Sequence, residues 1–188
     1  MFLMLGELQA GHRYYVLITT ASGLYRYFMN DLLEVTEFFG ATPLLRFVQK
    51  GKGVTSLTGE KLYEAQTIDS VCGVAVRHGL ASSFFITVAD DRRSAYRVFV
   101  EHGAAAHPDA QLVAEQIDQG LGELNIEYHG KRASGRLGPL DVVWLRPGAG
   151  DAYKRACLRA GQREGQFKPA LLQYRKDLHF SFDEYVTS

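Results

Sequence analysis

Gly51-Lys52-Gly53-Val54-Thr55-Ser56-Leu57-Thr58-Gly59 separates two stretches of different hydrophobic period. Before it, residues 14–20 (YYVLITT) are β-branched and aromatic, residues 32–38 (LLEVTEF) alternate apolar with polar, and residues 44–50 (LLRFVQK) lie between Pro43 and Gly51. These are strand signals, and their short connections predict a small antiparallel sheet. After the break the period lengthens: Leu62, Ala65, Ile68, Cys72 and Ala75 recur at three and four. Thr58 or Gly59 suits a cap, Glu60 a first turn and Gly79 a stop, so the spacing predicts a helix over 60–78. The glycines and hydroxyls of the break make it the candidate boundary or hinge.

Further along, residues 83–89 (SFFITVA) and 95–101 (AYRVFVE) flank the polar turn Asp90-Asp91-Arg92-Arg93-Ser94 and predict a hairpin. Pro108 opens a helix with Val113, Ile117, Leu121 and Leu124 on one stripe, and residues 141–146 (DVVWLR) read as a strand. Asp151 follows Pro147-Gly148-Ala149-Gly150 as a candidate N-cap of a short helix ending near Gly161. The fold class is therefore α+β: a small antiparallel β-sheet subdomain, then a compact α/β sandwich of helices on a small sheet.

The chain has 188 residues, one domain or two small ones, and its 46% hydrophobic content supports a buried core rather than disorder. Lys plus Arg and Asp plus Glu each number 21, so net charge directs the chain to neither nucleic acid nor an anionic membrane. Cys72 and Cys157 show no metal or disulfide spacing, the start lacks a basic n-region, and no apolar run reaches membrane-spanning length. A cytoplasmic protein is expected. Six scattered histidines without HExxH offer no metal site, and the absence of GxSxG leaves serine hydrolysis unsupported.

Four segments are candidates for chemistry. In residues 19–31, Thr19, Thr20 and Ser22 supply hydroxyls, Tyr25 and Tyr27 aromatic surface, Arg26 a guanidinium and Asp31 a carboxylate, a set suited to a nucleotide's base, phosphate and ribose. The alternative is a loop whose tyrosines pack and whose Arg26 pairs with Asp31. Residues 51–61 and 147–151 could cradle a phosphate on backbone N–H groups, but neither is a Walker motif, and a hinge and a connecting turn are the simpler readings. Between Asp151 and Lys176, seven basic residues face two acidic ones, a local charge of +5. Within it Lys168, between Phe167 and Pro169, lies in a segment too irregular for a helix face and suits a phosphate or carboxylate as a point charge.

The run Thr19-Thr20-Ala21-Ser22-Gly23-Leu24-Tyr25-Arg26-Tyr27, followed by Asn30-Asp31-Leu32-Leu33-Glu34-Val35, resembles the T-T-x-x-G-L-Y-R-Y-R-x-G-D-x-x-x-V stretch of the auxin-responsive Gretchen Hagen family of acyl acid amido synthetases. The likeness continues through residues 45–48, 56–62, 135–140 and 165–169, in order and over nearly the whole chain. The family belongs to the adenylate-forming enzymes. The resemblance implies that residues 1–52 end the large adenylating domain and that 53–188 form the mobile carboxyl-terminal domain. It implies a ligase joining a carboxylic acid to an amine or amino acid through an acyl-adenylate, with ATP/AMP and Mg2+.

By the same resemblance Tyr25 and Arg26 line the nucleotide pocket, Asp31 holds the ribose hydroxyls and Lys168 is the catalytic lysine that approaches ATP when the small domain swings about residues 51–61. Two positions depart from the family: Phe28 stands for its second arginine and Asn30 for its glycine. The family's phosphate loop has no counterpart in residues 1–18, so the chain alone is expected to be catalytically incomplete. The alternatives are a free-standing binding or regulatory module that docks on a separate amino-terminal portion, and a non-functional remnant.

Overall fold

A computed structural model describes residues 2–50, 53–80, 82–103, 107–161, 164–167 and 169–187, with the side chains of Asn30, Gln49, Lys50 and Gln166 left aside. The chain divides into two compact units, Met1–Lys52 and Gly53–Ser188.

The first unit is a three-stranded antiparallel sheet in the order β1 (Arg13–Ile18), β2 (Tyr27–Phe39), β3 (Thr42–Lys50). The two-residue β2–β3 connection places Gly40 at φ +61°, a value a glycine adopts without strain. Pro43 sits in β3, an edge strand, where a missing N–H is tolerated. β1 and β2 pair at Tyr15↔Leu32 and again at Leu17↔Phe28, so Met29, Asn30 and Asp31 of β2 oppose Val16 alone. Such a bulge bends the strand and re-aims its side chains. Asp31 therefore lies inside a strand that starts five residues before the 32–38 segment, rather than in the loop.

The second unit has three layers. A short ribbon, β4 (Val54–Thr55) with β5 (Leu62–Tyr63), leads into α1 (Glu64–Arg77). The hairpin β6 (Phe85–Asp90), β7 (Ala95–Glu101) is followed by α2 (Ala110–Leu124), α3 (Ile126–Ala133), β8 (Asp141–Leu145), α4 (Ala149–Arg159) and β9 (Leu172–Tyr174). The sheet order is β8-β7-β6-β9, antiparallel at the central hairpin and parallel at both outer pairs.

Because side chains alternate across a sheet, β7 sends Tyr96, Val98 and Val100 into one core with Val71, Val74, Val113, Ile117 and Leu121 of α1 and α2. Phe99 faces the other core, built from Ile86, Val88, Leu145, Tyr153 and Phe182. Coverage on both faces explains why β6 reads as a nearly unbroken apolar run.

α1 begins at Glu64 instead of 60, and its buried face is Thr67, Ser70, Val71 and Val74, with Ala65 and Cys72 exposed. The predicted stripe is thus rotated. Ser70 Oγ donates to Ile117 O at 2.9 Å, and a Cβ on Gly120 would stand 2.6 Å from that hydroxyl, so the α1–α2 contact is made by small residues at close approach. α3 and β9 were not predicted. Asn125 follows Leu124, the exposed last residue of α2, and caps α3, accepting from Tyr128 N at 3.0 Å while its amide donates to Lys61 O at 2.9 Å. α4 starts at Ala149 behind Gly148, two residues before the expected cap Asp151.

Candidate functional site

The loop between β1 and β2 is organised by its hydroxyls. Thr20 N donates to Leu24 O at 2.9 Å, Leu24 N to Thr20 Oγ1 at 3.3 Å, and the Thr20 and Ser22 hydroxyls meet at 2.8 Å. Thr19 Oγ1 accepts from Arg26 N at 3.1 Å, holding Arg26 in the left-handed region at φ 49°. A side chain other than glycine adopts that conformation only when its surroundings impose it. The consequence is display: Tyr25 is 75% exposed, and the Arg26 guanidinium lies over its ring at 5.5 Å from the centroid. A cation on an exposed ring gives a planar surface with positive charge, suited to a base and a phosphate.

Asp31 follows at the bulge, half-buried in β2 and opposite Lys50 in the β2–β3 register. Tyr25, Arg26 and Asp31 thus share one end of the first sheet. Lys168 lies outside the described residues. Nearby in the chain, Phe167 packs against the second core, and Leu172, in β9, is fully buried.

Both phosphate-cradle candidates of the second unit are filled by the chain's own carboxylates. Glu60, expected in the first turn of a helix, is instead fully buried in the β4–β5 loop. Its carboxylate accepts from Leu57 N at 2.8 Å, Thr58 N at 2.9 Å, Thr58 Oγ1 at 2.8 Å and Tyr96 Oη at 2.6 Å. Burial pushes this carboxyl up, but the bonds from Tyr96, Leu57 and Thr58 outweigh it and leave its pKa below the ordinary value. Burial, and then the Glu60 charge, push the Tyr96 phenol well up.

At the start of α4, Glu101 accepts from Gly150 N and Ser83 Oγ, each at 2.7 Å. Here too burial raises the carboxyl, and hydrogen bonds led by Gly150 lower it further than burial raises it. The 57–58 turn and the α4 terminus have the donors of an anion site, and each already holds its anion. No sequence signal marked Glu101; the SLTGEKL run contained Glu60, but its helical period misassigned it. Among the described residues no group of three or more His, Cys, Asp or Glu side chains could hold a metal ion.

An antiparallel unit followed by helices on both faces of a mixed sheet is the carboxyl-terminal architecture of solved amido synthetases. The chain overlays on the GH3.15 acyl acid amido synthetase with a TM-score of 0.63 and 27% identity, covering 98% of this chain and 35% of that one. On AtGH3.15 acyl acid amido synthetase in complex with 2,4-DB the TM-score is 0.62. The GH3 family central domain matches residues 1–50 and the GH3 family C-terminal domain residues 66–176. The chain belongs to the GH3 family.

Its relatives include the indole-3-acetic acid-amido synthetase GH3.15 of Arabidopsis thaliana, 29% identical over 173 residues, covering 86% of this chain and 29% of the relative. Another is the indole-3-acetic acid-amido synthetase GH3.8 of Oryza sativa subsp. indica, 26% identical over 174 residues, covering 87% and 29%. The chain spans less than a third of these relatives' length. The match falls on the family that the TTASGLYRY run resembles.

Proposed function

We propose that the chain is the carboxyl-terminal portion of an ATP-dependent ligase that conjugates a carboxylic acid to an amine or amino acid. In the first half-reaction a carboxylate oxygen attacks the α-phosphorus of ATP, and the bond to the bridging oxygen breaks to release pyrophosphate. In the second, the amine nitrogen attacks the acyl carbon, loses a proton and expels AMP. The observation that carries the reading is the presence of both GH3 domains in order, with Tyr25 and Arg26 displayed, and Asp31 half-buried, at one end of the first sheet.

Asp31 holds the two ribose hydroxyls as a bidentate acceptor, Tyr25 covers the base, and Arg26 offers a charge to phosphate. Lys168 stabilises the negative charge that develops as pyrophosphate leaves. Magnesium accompanies the ATP in this reading and shields its phosphates. The free thiols of Cys72 and Cys157 fit a reducing cytoplasm.

The 188 residues alone do not turn over in this reading. The chain spans under a third of its relatives, and the two backbone cradles of the second unit are occupied by Glu60 and Glu101. Most contacts to the α-phosphate then come from the portion the relatives carry in addition. A panel of carboxylic acids with ATP should give no pyrophosphate exchange with the chain alone, and robust exchange would refute incompleteness. With the amino-terminal portion of a relative supplied, exchange should appear and fall about 100-fold on Asp31→Ala, as for loss of one preorganised polar contact. Full activity of Asp31→Ala would remove Asp31 from the site.

A docking module is the second reading, favoured by the apolar surface of the first sheet, where Tyr15, Phe28, Phe39 and Phe47 are exposed. In that case binding to the amino-terminal portion occurs without exchange.

A further inference from the structure

β9 is held from a direction that its sheet does not require. It pairs with β6 at Thr87↔Leu172, Val88↔Gln173 and Ala89↔Tyr174, which anchors one side. From another element, Glu64 Oε1 accepts both main-chain N–H groups at its leading end, Leu171 N at 2.5 Å and Leu172 N at 3.3 Å. Glu64 is the first residue of α1. An acidic residue there ordinarily serves the helix's own unpaired N–H groups or water. Glu64 instead reaches a strand 107 positions away.

Its other contacts tie it to the start of the second unit. Glu64 N donates to Gly53 O at 2.9 Å, and its side chain lies 3.7 Å from the place a Cβ on Gly53 would occupy. A second link runs beside the first: Tyr174 Oη accepts from Ser56 N at 2.9 Å and donates to Ser56 O at 3.3 Å. Both links join β9 to residues 53–56. On the other side of Lys168, Phe167 is packed in the second core, under Lys154 Nζ at 6.0 Å from its ring centroid. Three residue steps, at most about 10 Å of extended chain, separate Lys168 from the first amide that Glu64 holds.

We infer that Glu64 is a positioning residue: it fixes the leading end of β9 to the strand that opens the second unit, and so sets the point from which Lys168 works. This rests on the role proposed for Lys168. A carboxylate suits the task because a single charged oxygen serves two main-chain donors, with bonds about twice as strong as neutral ones. Glu64→Gln keeps an oxygen in place without the charge, and Glu64→Ala removes both.

The test has two arms. In the 188-residue chain, amide exchange at Leu171 and Leu172 should quicken about tenfold in Glu64→Ala, the factor expected when bonds to a charged acceptor are lost, and less in Glu64→Gln. The α2 amides should keep their protection. Unchanged exchange at Leu171 and Leu172 overturns the tie. In the enzyme completed with a relative's amino-terminal portion, Glu64→Ala should lower kcat for pyrophosphate exchange about tenfold with KM for the carboxylic acid unchanged. The same substitution in a Lys168→Ala background should cost nothing further. Additive losses refute positioning. An inactive completed wild type with quickened exchange in Glu64→Ala refutes the role of Lys168 and leaves the tie standing.

Discussion

Glu60 and Glu101 are buried carboxylates held by neutral donors, so their worth lies in the hydrogen bonds they accept. Glu60→Ala leaves Leu57 N, Thr58 N and the Tyr96 hydroxyl without their acceptor. The expected loss is about 3 kcal/mol, or about 10 °C in Tm for a chain of this size, measured by calorimetry. A loss below about 1 kcal/mol would show that the loop re-forms around water. Both carboxyls have folded pKa values below the ordinary 4.5. Their contribution is therefore fully present above pH 4.5 and is lost as pH falls through the lower folded values. The wild type should unfold in acid more steeply than Glu60→Gln, whose side chain does not titrate; parallel acid curves would refute this.

At the scale of the element, the start of α4 is a close fit between backbone and ring. A Cβ on Gly150 would stand 2.7 Å from Cβ and Cγ of Phe84, at the base of a ring packed against Tyr153 and Phe182. Gly150→Ala should destabilise by about 2 kcal/mol in urea unfolding. Gly130→Ala, in α3 with nothing within 4 Å of the new methyl, should be neutral or stabilise by up to about 1 kcal/mol. Equal effects at the two sites would refute the packing account.

The elements that were legible in the sequence are those whose period reports local environment. β2 alternates apolar with polar, β1 and β7 carry β-branched and aromatic residues, and α2 shows Val113, Ile117 and Leu121 on one stripe. α1 misled because its buried face uses Thr67 and Ser70, polar residues whose hydroxyls bond to carbonyls of Glu64 and Ile117. β9 was hidden because three residues, Leu172–Tyr174, carry too little pattern and pair with a strand 85 positions earlier. The same limit governs the candidate site. The resemblance of residues 19–35 picked out Tyr25, Arg26 and Asp31, whereas Glu64 and Glu101 act through contacts that no local spacing announces.

For the whole molecule, the two units differ in how they are held. The second has two cores; in the first, Val35 and Pro43 are the buried residues among those described. Tyr15, Phe28, Phe38, Phe39, Leu45 and Phe47 remain exposed on the sheet. An apolar surface of that extent is rare on a chain that works alone. The isolated 188 residues should therefore bind a hydrophobic dye and sediment as oligomers. Phe39→Lys with Phe47→Glu should shift them toward monomer with the thermal transition of the second unit unchanged. A monomeric wild type without dye binding would contradict this.

The position of β9 at one edge of the sheet also governs the order of assembly during synthesis. β6, β7 and β8 leave the ribosome before β9, the second partner of β6. Until Leu172–Tyr174 emerge, β6 presents an unpaired edge and Glu64 has no amides to hold. The leading end of β9 is thus anchored after the rest of its sheet. A nascent chain, or one cut before β9, is left with an open strand edge, which makes the arrival of β9 a quality checkpoint against aggregation, a role separate from chemistry.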